Sequence, residues 1–267
     1  MAEGVATPSV LLTVAYDGAA FSGFAPQREG VRTVHAVLLQ ALGHLDPTVT
    51  RIRGVSRTDA GVHALGQRVA LDPSRSIPTK GWVLGTNARL PADVAVRRAI
   101  EVPPSWEPRA HVGAKRYRYT VLVDAVRDPF VERRALRIEP PIDLERLAEE
   151  AKSALGTHDF CAFRSAADER EDTVRTLSSI DVVPSFGGDP RLFAIEVIGN
   201  AFLHNMVRIL VGTLLDVARG RLRPGAIARG LSSHDRRDLG VTAPAHGLVL
   251  DEVFFEGLDP AFGASWP

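Results

Sequence analysis

The sequence predicts an α+β fold of two mixed domains, with largely antiparallel sheets flanked by helices and an active-site cleft between them. Three observations carry this expectation. Short apolar runs of strand length alternate with turn signals rather than with regular helices, so there is no strict βαβ order and no internal repeat. Only a few segments carry a clear helical stripe. The stretch Val102-Pro103-Pro104-Ser105-Trp106-Glu107-Pro108 holds three prolines and breaks regular structure. It sets the expected domain boundary, with residues 1–105 before it and 106–267 after it.

The elements follow in order. Val10 to Tyr16 is an apolar run ended by Asp17-Gly18 and reads as a strand. Thr33 caps a helix in which Val34, Val37, Leu38, Ala41 and Leu42 keep the i, i+3, i+4, i+7, i+8 stripe. Arg51 to Val55 and Gln67 to Leu71 are short strands on either side of a turn. Trp82 to Ala88 reads as a short helix and Val94 to Val102 as a strand. In the second half, Arg116 to Val123 alternates, with Tyr117, Tyr119, Val121 and Val123 on one face. Asp143 caps a helix that turns Leu144, Leu147, Ala148 and Ala151 inward and stops near Gly156. Ile180 to Val183 and Phe193 to Val197 are strands joined as a hairpin through Gly187-Gly188-Asp189-Pro190. Ala201 to Ala218 is apolar nearly all round, which predicts a buried helix. Pro224 starts a further short helix, Leu248 to Phe255 is a last strand, and Gly257 to Pro267 is a loose tail.

Composition narrows the function classes. Hydrophobic content of 45% and charged content of 24% are those of an ordinary globular enzyme. The one cysteine, Cys161, excludes an intrachain disulfide and any zinc cluster built on several cysteines. It fits a reducing compartment, and the expected location is cytoplasmic. The start, Met1 to Thr7, lacks the charged n-region of a secretory signal. The most apolar run, Ile209 to Leu215, is far shorter than the ~20 residues of a membrane span, so no membrane association is expected. Net charge is zero, but its distribution is uneven. Arg51, Arg53, Arg57 and Arg68 surround Asp59, and Arg109, His111, Lys115, Arg116 and Arg118 form a run with no acid inside it. Arginine forks phosphate and stacks on bases, so a basic surface of this kind is compatible with RNA binding.

The segment Ser56-Arg57-Thr58-Asp59-Ala60-Gly61-Val62-His63 puts one carboxylate in a tight turn. Asp bonds its own backbone in turns and Gly supplies positive φ, so Asp59 either holds the turn or does chemistry. Arg208 lies in an apolar helical segment with no acid one turn away, and His204, Arg208 and Gly212 share a face at i, i+4, i+8. A buried Arg needs a partner, so Arg208 pairs with a distant carboxylate, faces a cleft or snorkels. Tyr117, beside Lys115, Arg116 and Arg118, is suited to stacking on a base among phosphate contacts. Tyr119 reads as a core aromatic. No metal-ligand spacing, serine elbow, phosphate-binding loop or dinucleotide fingerprint is present, so neither cofactor nor metal is expected. One carboxylate, an Arg, a Tyr and a basic cleft suit attack at an anomeric or nucleobase carbon. A base in an RNA stem is first flipped out, with Arg57 as a wedge.

These residues resemble a known family. Ser56-Arg57-Thr58-Asp59-Ala60-Gly61-Val62-His63-Ala64 is similar to the catalytic motif of the tRNA pseudouridine synthase I (TruA) family. Tyr16-Asp17-Gly18 followed by Gly23 resembles its first-strand motif, and Lys115-Arg116-Tyr117-Arg118-Tyr119 its tyrosine-bearing strand. His158-Asp159-Phe160-Cys161-Ala162-Phe163-Arg164 resembles the family's H-D-F-x-x-F-R, Phe202 to Arg208 its buried helix, and Gly247-Leu248 its late G-L element. The resemblance implies an isomerase that converts uridine to pseudouridine at positions 38 to 40 of the tRNA anticodon stem-loop, as a homodimer with no metal or cofactor. It implies Asp59 as the nucleophile that lets the N1–C1′ bond break and C5–C1′ form, and Tyr117 as the residue stacking on the target base. It implies Arg208 as the partner of the aspartate and Arg57 as the base-flipping arginine, with Arg109, His111, Lys115 and Arg116 as further RNA contacts. Three positions depart from the family pattern: Ser56 stands where Gly is usual, Gly23-Phe24-Ala25 where G-W-Q is usual, and His35 where a glutamine is common. A non-catalytic RNA-binding module, or a synthase with another RNA target, is the alternative reading.

Overall fold

The structure is a computed structural model that describes residues 7–257. The expected tail, Gly257 to Pro267, lies outside the described residues beyond its first residue. The chain forms two compact units. The first runs up to Gly113 and takes in the segment from Leu250 onward, and the second comprises Ala114–Val249. The expected boundary stood at 105/106; the units meet at 113/114, and the last strand returns to the first unit.

In the first unit, β1 (Ser9–Tyr16) lies between β3 (His63–Leu71) and β4 (Val94–Val102), antiparallel to both. The short β2 (Arg53–Gly54) pairs with β3. α1 (Val34–Gly43) begins where Thr33 accepts the amide of Ala36, as the capping preference of Thr predicts. Its Val34, Leu38, Ala41 and Leu42 are buried. α2 (Thr79–Asn87) buries Trp82. β1 is apolar on both faces and almost wholly covered, with Leu12 and Val14 at 0% exposure. Its register to β3 slips between Val14 and Tyr16, where Val14 faces Gln67 but Tyr16 faces Ala64. The extra residue on β3 is a bulge, a device that re-aims side chains beside a site.

In the second unit, β5 (Val112–Val123) pairs antiparallel with β9 (Leu192–Gly199), β9 with β8 (Val174–Pro184), and β8 with β7 (Gly156–Asp159). The short β6 (Leu136–Ile138) runs parallel to β5. The predicted β8–β9 hairpin is present. α3 (Leu144–Ala151) is capped by Asp143, which accepts the amide of Arg146 at 2.9 Å. α4 (Met206–Ala218) buries nearly every side chain, each large one contributing ~1.5–3 kcal/mol of hydrophobic stabilisation. It begins five residues later than its apolar run because Asn205 sits in the left-handed region at φ 64°. Asp168 accepts the His204 amide there, and Ser165 donates to the His204 carbonyl. His204 is therefore outside the helix and does not share a helical face with Arg208. α5 (Ala226–Ser233) follows, and β10 (Leu248–Phe255) closes the described chain with the predicted bounds.

Candidate functional site

The carboxylate turn lies in the first unit between β2 and β3, and it is held from several sides. The Val55 amide donates to the Arg68 carbonyl at 2.9 Å. Gln67 brackets Ser56: its Oε1 accepts the Ser56 amide at 3.1 Å and its Nε2 donates to the Ser56 carbonyl at 2.7 Å. Tyr16 Oη and Thr58 Oγ1 are 2.7 Å apart, which is where the bulge in β1–β3 sends the tyrosine. The Phe24 amide donates to the Thr58 carbonyl at 3.1 Å, and the Gly18 amide to His63 Nδ1 at 3.0 Å. Across the bend, Gly61 donates to the Phe21 carbonyl at 3.3 Å and Val62 to the Asp59 carbonyl at 3.1 Å. Gly61 has φ 79°, the conformation its lack of Cβ permits. Main-chain atoms and the side chains of Gln67, Tyr16 and Thr58 thus close the turn, and Asp59 is half-buried at its apex.

The glycines of the first-strand motif acquire a physical reason here. A Cβ on Gly18 would run into the Val62 carbonyl, and one on Gly23 would lie 2.8 Å from the Thr58 carbonyl oxygen. The departures from the family pattern also meet. Phe24 lies over Gly54, stacks near Tyr16 with centroids 6.4 Å apart, and meets His35 edge-on at 6.3 Å. Ser56 is 4% exposed and its buried Oγ has no hydrogen-bond partner.

The expected ring of arginines around Asp59 is largely committed elsewhere. Arg53 pairs with Asp72 and Glu107. Arg68 is buried, bonds to Thr13 Oγ1 and lies 3.8 Å from Glu252. Burial holds its guanidinium below the usual pKa, with Glu252 pulling the other way. Arg57 is exposed on the turn itself. Arg109 donates from Nε to the Gly54 carbonyl at 3.0 Å. Burial lowers its pKa first, and the nearby Arg57 lowers it further, so these two cations share one locale beside the turn. His111 stacks flat on Trp106 at 4.8 Å.

Tyr117, Arg208, Lys115 and Arg116 belong to the second unit. The basic run is split by strand alternation: Lys115, Tyr117 and Tyr119 point to one face of β5, Arg116 and Arg118 to the other. Tyr117 is 8% exposed and meets Phe202 edge-on at 5.0 Å, while Arg118 lies over the Phe186 ring. Tyr119 is fully buried, as expected, and donates to the Pro244 carbonyl at 2.8 Å. Burial pushes its pKa up, opposed by Arg208, which is therefore close by. Arg208 is half-buried rather than buried. Its Nε donates to the Ala243 carbonyl at 2.8 Å and its Nη1 to Asn205 Oδ1 at 2.7 Å, while its own carbonyl accepts the Ala243 amide. A carbonyl and an amide thus hold two nitrogens of a guanidinium for which the sequence left open a distant carboxylate, a cleft or snorkelling.

Two groups escaped the sequence reading. Glu150 is buried and accepts the amides of Gly225 and Ile227, capping α5. Asp159, Cys161 and His234 place one ligand atom each within 4.8 Å of one another. Nothing in local spacing announces either, because the partners lie more than 70 residues apart. Among the described residues no helix is long and apolar enough to cross a membrane.

Residues 12–109 and 151–256 match the family model described as tRNA pseudouridine synthase. The chain is 39% identical over 254 residues to the tRNA pseudouridine synthase A of Myxococcus xanthus, covering 95% of this chain and 94% of that protein. It is 41% identical over 239 residues to the enzyme of that name from Halalkalibacterium halodurans, covering 89% of each. For that of Geotalea uraniireducens the identity is 38% over 246 residues, covering 92% of this chain and 99% of the relative.

Proposed function

Because the chain belongs to the tRNA pseudouridine synthase family, an isomerase family, we propose that Asp59 is its nucleophile and that its targets are uridines 38 to 40 of the tRNA anticodon stem-loop. In the net reaction the N1–C1′ bond breaks and a C5–C1′ bond forms. The hydrogen at C5 leaves as a proton, and N1 takes one up.

The observation that carries the proposal is the closure of the turn. Main-chain carbonyls hold the amides of Val55, Gly61 and Val62, Gln67 brackets Ser56, and Tyr16 meets the Thr58 hydroxyl, so the apex that carries Asp59 is fixed from several sides. A rigid mount that presents a half-buried carboxylate at its apex is what a positioned nucleophile needs. Arg57 and Arg109, two cations in one locale, suit the phosphates on either side of a flipped nucleotide, with Arg57 as the wedge. The proposal extends to Tyr117 and Arg208 the roles that the family resemblance implies, and to His111, Lys115 and Arg116 further RNA contacts. It takes the enzyme to act as a homodimer in the cytoplasm, which light scattering of the purified protein and fractionation of cells would test.

Release of tritium from tRNA labelled at uridine C5 tests the chemistry. Wild-type protein is expected to release it, while Asp59→Asn and Asp59→Ala release none and melt at an unchanged temperature. Release by either variant would overturn the assignment of Asp59. Pseudouridine mapping of tRNA from cells lacking the gene tests the target: loss confined to positions outside 38–40 would redirect the enzyme to another uridine, and no loss at all would favour a non-catalytic RNA-binding module.

A further inference from the structure

We propose that Asp59's unit is not the only one with a ligand site: in the second unit, Asp159, Cys161 and His234 form a binding site for a divalent ion of the zinc class. The three supply one carboxylate oxygen, one sulfur and one imidazole nitrogen, all within 4.8 Å of one another. They arrive from two places in the chain. Asp159 ends β7, Cys161 follows two residues on in a 3-10 turn, and His234 ends α5 in the left-handed region at φ 59°.

The carboxylate is oriented before any ion arrives. Asp159 Oδ1 accepts Thr173 Oγ1 at 2.6 Å and the Cys161 amide at 2.9 Å, and Oδ2 lies 3.9 Å from His234 Nε2. One oxygen is thus anchored by neighbouring donors and the other is turned to the imidazole, the outer-shell arrangement that accompanies metal ligation. Phe160, between the two loop ligands, is fully buried and pins their backbone. Zinc takes oxygen and nitrogen at about 2.0–2.2 Å and sulfur at about 2.3 Å, so its tetrahedral ligands stand roughly 3.3–3.7 Å apart. The 3.9 Å pair stands about half an ångström beyond this spacing, and no pair of the three, all within 4.8 Å, stands more than about 1.5 Å beyond it. The side chain of His234 is 52% exposed and therefore able to swing by that amount.

The donor set selects the ion. A sulfur with an imidazole disfavours calcium and magnesium, which take oxygen, and suits zinc or its spectroscopic stand-in cobalt(II). Three protein ligands with the histidine side half open to solvent leave the fourth position to water.

The test uses the full-length chain without a histidine tag, titrated with cobalt(II) and then with zinc(II). The expected result is one cobalt per chain at micromolar affinity or tighter, with a sulfur-to-cobalt charge-transfer band that zinc abolishes by displacement. Cys161→Ser should remove the band. His234→Asn, which tolerates the left-handed backbone, should weaken binding at least tenfold; neither change touches a residue that Asp159 uses to hold Thr173. Absence of stoichiometric binding would overturn the proposal. So would binding without the band, or binding that survives both substitutions, either of which would mean a scattered surface site.

Discussion

Gly23→Ala is the sharpest probe of the mount beneath Asp59. Two separable penalties act at this position. Gly23 has φ +96°, which an L side chain adopts at a cost of about 1–3 kcal/mol. A Cβ there would also lie 2.8 Å from the Thr58 carbonyl oxygen and 3.3 Å from the Asp59 carbonyl carbon. Both obstacles are backbone of the turn, so the turn itself has to give by about half an ångström to restore ordinary contact. Gly30, in the same loop, separates the two effects: it has φ +84°, but a Cβ there meets nothing within 4 Å. Gly30→Ala should therefore lose only the conformational part, about 1–2 kcal/mol by chemical denaturation, and keep full activity. Gly23→Ala should lose more stability than Gly30→Ala. Because misplacement by 1 Å can cost ~100-fold, its half-ångström shift should lower single-turnover pseudouridine formation roughly tenfold. Equal stability losses in the two variants, with activity within twofold of wild type in both, would refute the claim that this glycine seats the turn.

Three further outcomes follow. Asp46 is fully buried; burial pushes its carboxyl up, but hydrogen bonds from Thr48, Ser74 and Arg75 outweigh this and hold it at about 2. A folded pKa below the unfolded value of 3.8 gives stability that is present above pH 4 and lost as pH falls from 4 to 2. Asp46→Ala should then cost ~2 kcal/mol at pH 7, and its gap to wild type, read from denaturation curves at stepped pH, should narrow across that window. Ser56→Ala removes a buried hydroxyl that lacks a partner, so it should stabilise by about 1 kcal/mol and raise the melting temperature by roughly 2–4 °C in calorimetry, with activity kept. Tyr119→Phe leaves the Pro244 carbonyl without its donor and should cost ~1–2 kcal/mol by denaturant titration.

What the sequence made legible was local. The Thr33 and Asp143 caps, β4 and β10 follow from residue type and period alone, and all four are where expected. The start of α4 was not legible, since hydrophobicity continues through Ala201–His204 while Asn205 leaves helical space and Asp168 takes the His204 amide. Tertiary hydrogen bonds override periodicity there. The same reason explains Arg208. A scan for nearby acids misses the Ala243 carbonyl, 35 residues on, and the side chain of Asn205, neither of which is charged. Arg109 to Arg118 read as one basic run, yet alternation along β5 and the division of the chain distribute its charges over different faces and two units.

The motif around Asp59 and the motif at the end of β1 are one device. Tyr16 meets Thr58 across 42 residues, Gly18 meets His63 across 45, and Phe21 and Phe24 bind the bend through their main chains. Each strand-end residue is therefore explained by a specific atom of the turn, and the turn needs them because main chain without regular pairing has to satisfy its polar groups from elsewhere. A turn of purely structural purpose would use an Asx carboxylate to supply that satisfaction, and Asn would then serve as well as Asp. Here the amides of Gly61 and Val62 go to the main-chain carbonyls of Phe21 and Asp59. Asn has nearly the shape of Asp, so what the proposed role demands of position 59 beyond shape is charge and nucleophilicity. Asp59→Asn, with the fold intact and the chemistry gone, would isolate that demand.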